Sequence, residues 1–200
     1  AWFDGQWERP AEWWRTGEIA ALLRELQPGI LINDRLPGQG DYITPEQFES
    51  QMRHLAEEGY RTVSLREVVE VAKGIRPATD RTVALTFDDG YRDFLRNVLP
   101  VLNLHGFSGT LFLVADHVGG TNAWDARHGD PPRALLGWSE AAELAAMGME
   151  IGSHARTHRF LPGLPGAELE EEIRGSKSIL EDRLGRPVRF FSYPHGLHDG

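Results

Sequence analysis

Apolar and polar positions along the chain follow two rhythms. Stretches with apolar residues every three or four positions predict helices over 11–26, from Thr44 to a stop at Gly59, and from Ser64 to about Lys73. The same spacing predicts helices over 91–105, 139–147 and 166–184. Short runs rich in β-branched and aromatic residues predict strands between them: "GILIN", residues 60–63, "TVALTF", "GTLFLV", "MEIGS" and "VRFFSY". Local punctuation agrees with these boundaries. Thr44 and Pro45 suit an N-cap and a first helical position, and Pro28-Gly29 ends the first helix. A long polar loop spans 116–137 and carries Trp124 and Pro131-Pro132. Strands alternating with helices predict βαβ units, hence an α/β fold with a parallel sheet under helical cover, a barrel or a partial one.

Composition narrows the partners. The net charge is −9 and no basic cluster is present, which argues against nucleic acid or an anionic membrane surface. No window approaches the eighteen apolar residues of a membrane span. Cysteine is absent, so a metal site must be built from His, Asp or Glu. The chain opens on Ala1-Trp2-Phe3 and closes on "HGLHDG" in a predicted loop, so both ends are expected to be cut edges. Compartment and oligomeric state are left open.

In α/β folds active groups gather at the carboxyl ends of strands. That rule selects "FDDG" after "TVALTF", "SHARTH" after "MEIG", and "SYPHG" after "VRFF". His154 and His158 are four apart, so one turn can bring both imidazoles to one cation. Two imidazoles and one carboxylate form an open site for zinc or a similar divalent ion. Adjacent residues at a strand tip point different ways, so Asp88 and Asp89 can divide two tasks. One binds the cation and the other takes a proton from water activated there, whose pKa falls to about 7. Each string alone also fits ordinary turn chemistry or a solvated helix face. Their coincidence at three strand ends favours the metal site.

"TFDDGY", "GSHARTH" and "FFSYPHG", in this order, resemble the polysaccharide deacetylase (NodB-homology) family. So do "TPEQFESQMRHLAEEGYRTVSLREVV", "VLPVLNLHGFSGTLFLV" and "LGWSEAAELAAMGMEIGSH". The resemblance implies a polysaccharide deacetylase domain over 46–200, a partial (β/α) barrel incomplete at its carboxyl end. It implies a divalent metal, Zn²⁺ first, and removal of acetyl groups from a polysaccharide or amino sugar. Carried over by position, Asp88 is the general base, and Asp89, His154 and His158 are the metal ligands. The backbone N–H of His195 donates to the oxyanion. Two positions depart from the family pattern: Ser192 stands where an Arg usually orients the base, and His195 replaces an aromatic Tyr. The family's later motifs, with the His that protonates the leaving amine, have no counterpart up to residue 200, and His198 is not assigned that role. A glycan-binding module without turnover is the non-enzymatic alternative.

The first 45 residues are read separately. "WFDGQW" and "INDRLPGQGDYITPE" resemble the α-L-fucosidase family of retaining glycosidases. That resemblance implies Asp4 as nucleophile and Glu46 as acid/base, with a seam at 44–48 joining a fucosidase-like fragment to the deacetylase-like domain. Two quieter features are read as structural. Trp138 is expected at a helix start or in the core, although it and Trp124 could line a glycan groove, and the acidic run "ELEEEI" is expected to be a solvated helix face.

Overall fold

The computed structural model describes residues 44–128 and 132–196. The predicted helix 11–26, the strand "GILIN" and Asp4 lie outside them.

Both predicted N-caps form. Thr44 and Ser64 each close a capping box, with Gln47 and Glu67 reaching back, at the starts of α1 (Pro45–Glu57) and α2 (Leu65–Ala72). Between them lies β1 (Arg61–Thr62), which pairs in parallel with β2 (Thr82–Val83). The predicted strand 82–87 is interrupted, and its second half, β3 (Thr86–Phe87), pairs instead with β4 (Thr110–Leu113). The joint is close: Leu85 O accepts Thr110 N–H at 2.9 Å, and a Cβ on Gly109 would sit 2.8 Å from that same oxygen. Only glycine fits there.

The predicted helix 91–105 is likewise divided, into α3 (Phe94–Asn97) and α4 (Leu99–His105), with Val98 at the break. Pro100 explains this, since its ring crowds the carbonyl four residues back and it offers no N–H. α5 (Trp138–Ala146) leads into β5 (Glu150–Ser153), paired in parallel with β4 from Thr110–Glu150 to Leu113–Ser153. The predicted helix 166–184 is α6 (Gly166–Glu170) and α7 (Ser176–Leu184), joined through a π-helical turn at Glu171–Gly175.

The predicted strand 188–193 forms a single parallel bridge, Ser153 to Phe191. Ser153 N–H donates to Phe190 O and Ser192 N–H to Ser153 O, both at 2.9 Å. Among the described residues no backbone bond reaches its other edge. Its start is tied to α7 instead, with Val188 N–H on the Glu181 carboxylate at 2.8 Å. The parallel neighbours therefore run in chain order, β1, β2/β3, β4, β5 and then 190–192, as successive βαβ units require.

The core lies between this sheet and its helices. Leu102, Leu111, Leu113, Leu144 and Leu180 are fully buried, each contributing about 1.5–3 kcal/mol by leaving water. Trp138 starts α5, packs against this cluster and lies under Arg183, with 5.6 Å from guanidinium carbon to ring centre. No described helix is long and apolar enough to cross a membrane.

Candidate metal centre

Three turns at the carboxyl edge of the sheet build the site. After β3 the chain reverses at Asp88–Gly90, with Gly90 N–H donating to Asp88 O at 2.8 Å. Asp89 takes a left-handed φ of 68°, which aspartate tolerates better than most residues, and Gly90 follows at 74°. A Cβ on Gly90 would come within 2.6 Å of Leu113 Cδ2, so glycine is required for both space and conformation. This turn, and not the alternation of a strand, buries Asp89, leaves Asp88 half-buried and separates the two carboxylates.

His154 follows β5 directly and donates its backbone N–H to Leu113 O at 2.9 Å. Its Nδ1 lies 2.9 Å from Ser192 O. A carbonyl oxygen only accepts, so Nδ1 carries the proton and Nε2 of the neutral ring presents a lone pair. Residues 154–158 are not helical, as their spacing had suggested. Ala155 and His158 both adopt left-handed φ, 64° and 60°, and the loop folds back so that the two imidazole centres stand 4.9 Å apart.

Asp89 Oδ1 lies 3.3 Å from His154 Nε2 and 3.2 Å from His158 Nε2. All three side chains are buried, and one donor atom from each lies within 4.8 Å of the others. Asp89 Oδ1 nevertheless has no hydrogen-bond partner among the described residues. A buried carboxylate oxygen aimed between two imidazole nitrogens without a bond to either is costly in a protein interior. A cation bound to all three atoms removes that cost, so this donor set fits a divalent metal, with coordination positions left for water or substrate. Burial opposes the charge of Asp89, but the two imidazoles outweigh it and hold the carboxyl well below the usual carboxylate range. Burial also opposes the charge of His154, while Asp89 and Asp88 beside it hold the imidazole above its ordinary value.

The other expected residues flank this centre. Ser192, in the position where an Arg was expected, donates its hydroxyl to Asp88 Oδ2 at 3.4 Å while its carbonyl holds His154. His195 is buried with a left-handed φ of 62°, and its ring centre is 4.7 Å from that of His158. Trp124 stacks on His158, 4.6 Å between centres and 29° between planes. It arrives there because the long loop is pinned beside the Asp-Asp-Gly turn: Tyr91 O–H donates to Asp125, and Asn122 Nδ2 donates to Asp125 and Tyr91. Tyr91 is thus a loop anchor. Glu46 is exposed in the first turn of α1, where an acid suits the helix N-terminus, and Asp4, the other carboxylate of that reading, lies outside the described residues.

One participant departs from its expected role. Glu172, inside the acidic run, is buried rather than solvated and bonds the histidine loop. The signal was in the spacing: 172, 176 and 180 fall one turn apart, and Ser176 and Leu180 are wholly buried.

The polysaccharide deacetylase family model matches residues 75–200. The chain belongs to that family. Asp88, Asp89, His154, His158 and His195 all fall within the matched segment. Among its relatives, YxkH of Bacillus subtilis (strain 168) is 25% identical over 187 residues, 94% of this chain and 61% of that one. That alignment is long enough to run across 44–48, where the fucosidase-like and deacetylase-like strings meet. The poly-β-1,6-N-acetyl-D-glucosamine N-deacetylase of Staphylococcus epidermidis is 26% identical over 165 residues, 78% of this chain and 54% of that relative. The chain therefore spans less than two thirds of the length of either. Among solved structures, IcaB from Ammonifex degensii aligns with a TM-score of 0.68 and 26% identity, covering 78% of this chain and 69% of the other.

Proposed function

We propose that the chain carries the metal-dependent catalytic centre of a polysaccharide N-deacetylase acting on polymers of N-acetylglucosamine. The observation that carries this reading is the orphaned Asp89 Oδ1 set between His154 Nε2 and His158 Nε2. The substrate class follows the family and the poly-β-1,6-N-acetyl-D-glucosamine deacetylases among the relatives. A divalent cation, Zn²⁺ first, supplies Lewis acidity when bound, polarising the acetyl carbonyl and lowering the pKa of water to about 7.

The chain's own residues divide the remaining work. Asp88, beside the ligands but not one of them, accepts a proton from the attacking water. Ser192 restrains that carboxylate through its hydroxyl. The backbone N–H of His195 donates to the oxyanion as the carbonyl carbon becomes tetrahedral. The C–N bond then breaks as the proton held by Asp88 passes to the leaving nitrogen, and acetate and the free amine are released. Trp124 covers one face of His158 and offers its indole to the flat face of a sugar.

The test is acetate release from β-1,6-linked N-acetylglucosamine oligomers by the Zn²⁺-loaded protein. Release that stops on chelation and returns with Zn²⁺ is expected. Release unaffected by chelation, or zinc uptake without any release, contradicts the proposal, the latter in favour of a glycan-binding module.

A further inference from the structure

The acidic run at 168–173 contributes more than surface charge. Glu172 is 4% exposed, on the π turn between α6 and α7, and both its oxygens face the loop that carries the two histidines. Oε2 accepts the backbone N–H groups of Arg156 and Thr157, each at 2.9 Å, and Oε1 accepts the Thr157 hydroxyl. Bonds to an ionised carboxylate are the strong kind. They clasp a segment in unfavourable conformation, because Ala155 and His158 on either side are left-handed residues with side chains. Such conformations persist only where the surroundings over-determine them.

The two histidines are not secured alike. His154 is fixed at its backbone by Leu113 and at its ring by Ser192. His158 Nδ1 is buried with no hydrogen-bond partner among the described residues, so no such bond orients its ring. Its position depends on where the loop delivers it and on the flanking Trp124 and His195 rings. The Arg156 side chain cannot substitute for Glu172 inside the loop, since it turns outward to Asp116 and Glu171.

We propose that Glu172 is a positioning residue of the metal centre, holding Arg156 and Thr157 so that His158 Nε2 meets Asp89 Oδ1. This rests on the metal-centre reading above. Removing the clasp leaves the loop held only on its carbonyl side, where Ala155 O and Arg156 O accept the N–H groups of Ala115 and Asp116, and so loosens Thr157 and His158 while leaving the sheet and the other two side chains in place.

Co²⁺ is the probe, followed by titration and by its visible ligand-field bands in the intact chain. With E172A, folded by circular dichroism, affinity is expected to fall 10–100-fold, the usual effect of losing a residue that supports a ligand, with altered bands at saturation. E172Q, whose amide oxygen still accepts both N–H groups, recovers most of that loss. T157V, which removes only the hydroxyl bond, falls between. Folded E172A with the affinity and bands of the original protein overturns the proposal. If E172A does not fold, T157V decides: unchanged affinity and bands overturn it, and weaker binding with altered bands supports it. An original chain that takes up no Co²⁺ overturns the metal centre itself, a separate failure.

Discussion

Asp89 illustrates how one residue answers to backbone and electrostatics together. Its left-handed φ turns the carboxylate off the line of β3 and into a buried position that two imidazoles make tolerable. Asp89→Ala removes the anionic ligand, and we expect it to abolish stoichiometric zinc binding, measured by calorimetric titration. Ser192→Ala is expected to leave zinc affinity unchanged, because the carbonyl that holds His154 survives. It should lower kcat for acetate release, because Asp88 loses its restraint. The pH dependence has a definite sign. The His154 value is raised above 6.5 in the metal-free protein, so its contribution to stability is full below the unfolded value and is lost as pH rises through the folded one. The depressed Asp89 value acts oppositely, its contribution being present above 3.8 and lost as pH falls through the folded value. Zinc needs the neutral imidazole, so binding displaces a proton. Zinc affinity should therefore rise with pH above 6.5 until the His154 imidazole is neutral, by up to about tenfold per unit for one proton. A flat or falling profile there would contradict the geometry.

Elements were legible in the sequence wherever local chemistry decided them. Thr44 and Ser64 marked helix starts because an oxygen side chain with Gln or Glu three residues on satisfies orphaned N–H groups whatever surrounds it. Thr44→Ala should cost about 1 kcal/mol, read as a lowered denaturation midpoint with unchanged zinc affinity, because the cap lies far in sequence from the ligands. Interruptions were harder to see. The split of 82–87 depends on which neighbour each half pairs with, and the bare bridge at 188–193 on what lies beside it; a one-dimensional pattern carries neither. The histidine spacing pointed to two imidazoles meeting at one place, but a strained loop and not a helical turn brings them together. Glu172 was missed because its neighbours are acidic and exposed, whereas its own place on the buried stripe was there to be counted. Leu111, on β4 beneath the site, offers a contrasting test: Leu111→Ala should destabilise the protein by about 2–5 kcal/mol, read in chemical denaturation.

For the molecule as a whole, the parallel strands act as a frame whose carboxyl edge gathers groups distant in sequence. Asp88 and Ser192, 104 residues apart, share a hydrogen bond there, and the long loop closes over the same edge through Tyr91 and Asn122. Because Asp89 and the two histidines come from two separate turns, an ion held by all three would link β3 to the loop after β5 and raise the melting temperature in proportion to the logarithm of free zinc. The most direct test of the account is anomalous diffraction from crystals of this protein grown with zinc. A single strong peak at about 2.0–2.2 Å from Asp89 Oδ1, His154 Nε2 and His158 Nε2 is the predicted result. Zinc bound elsewhere, or held by only one of these three side chains, would contradict it.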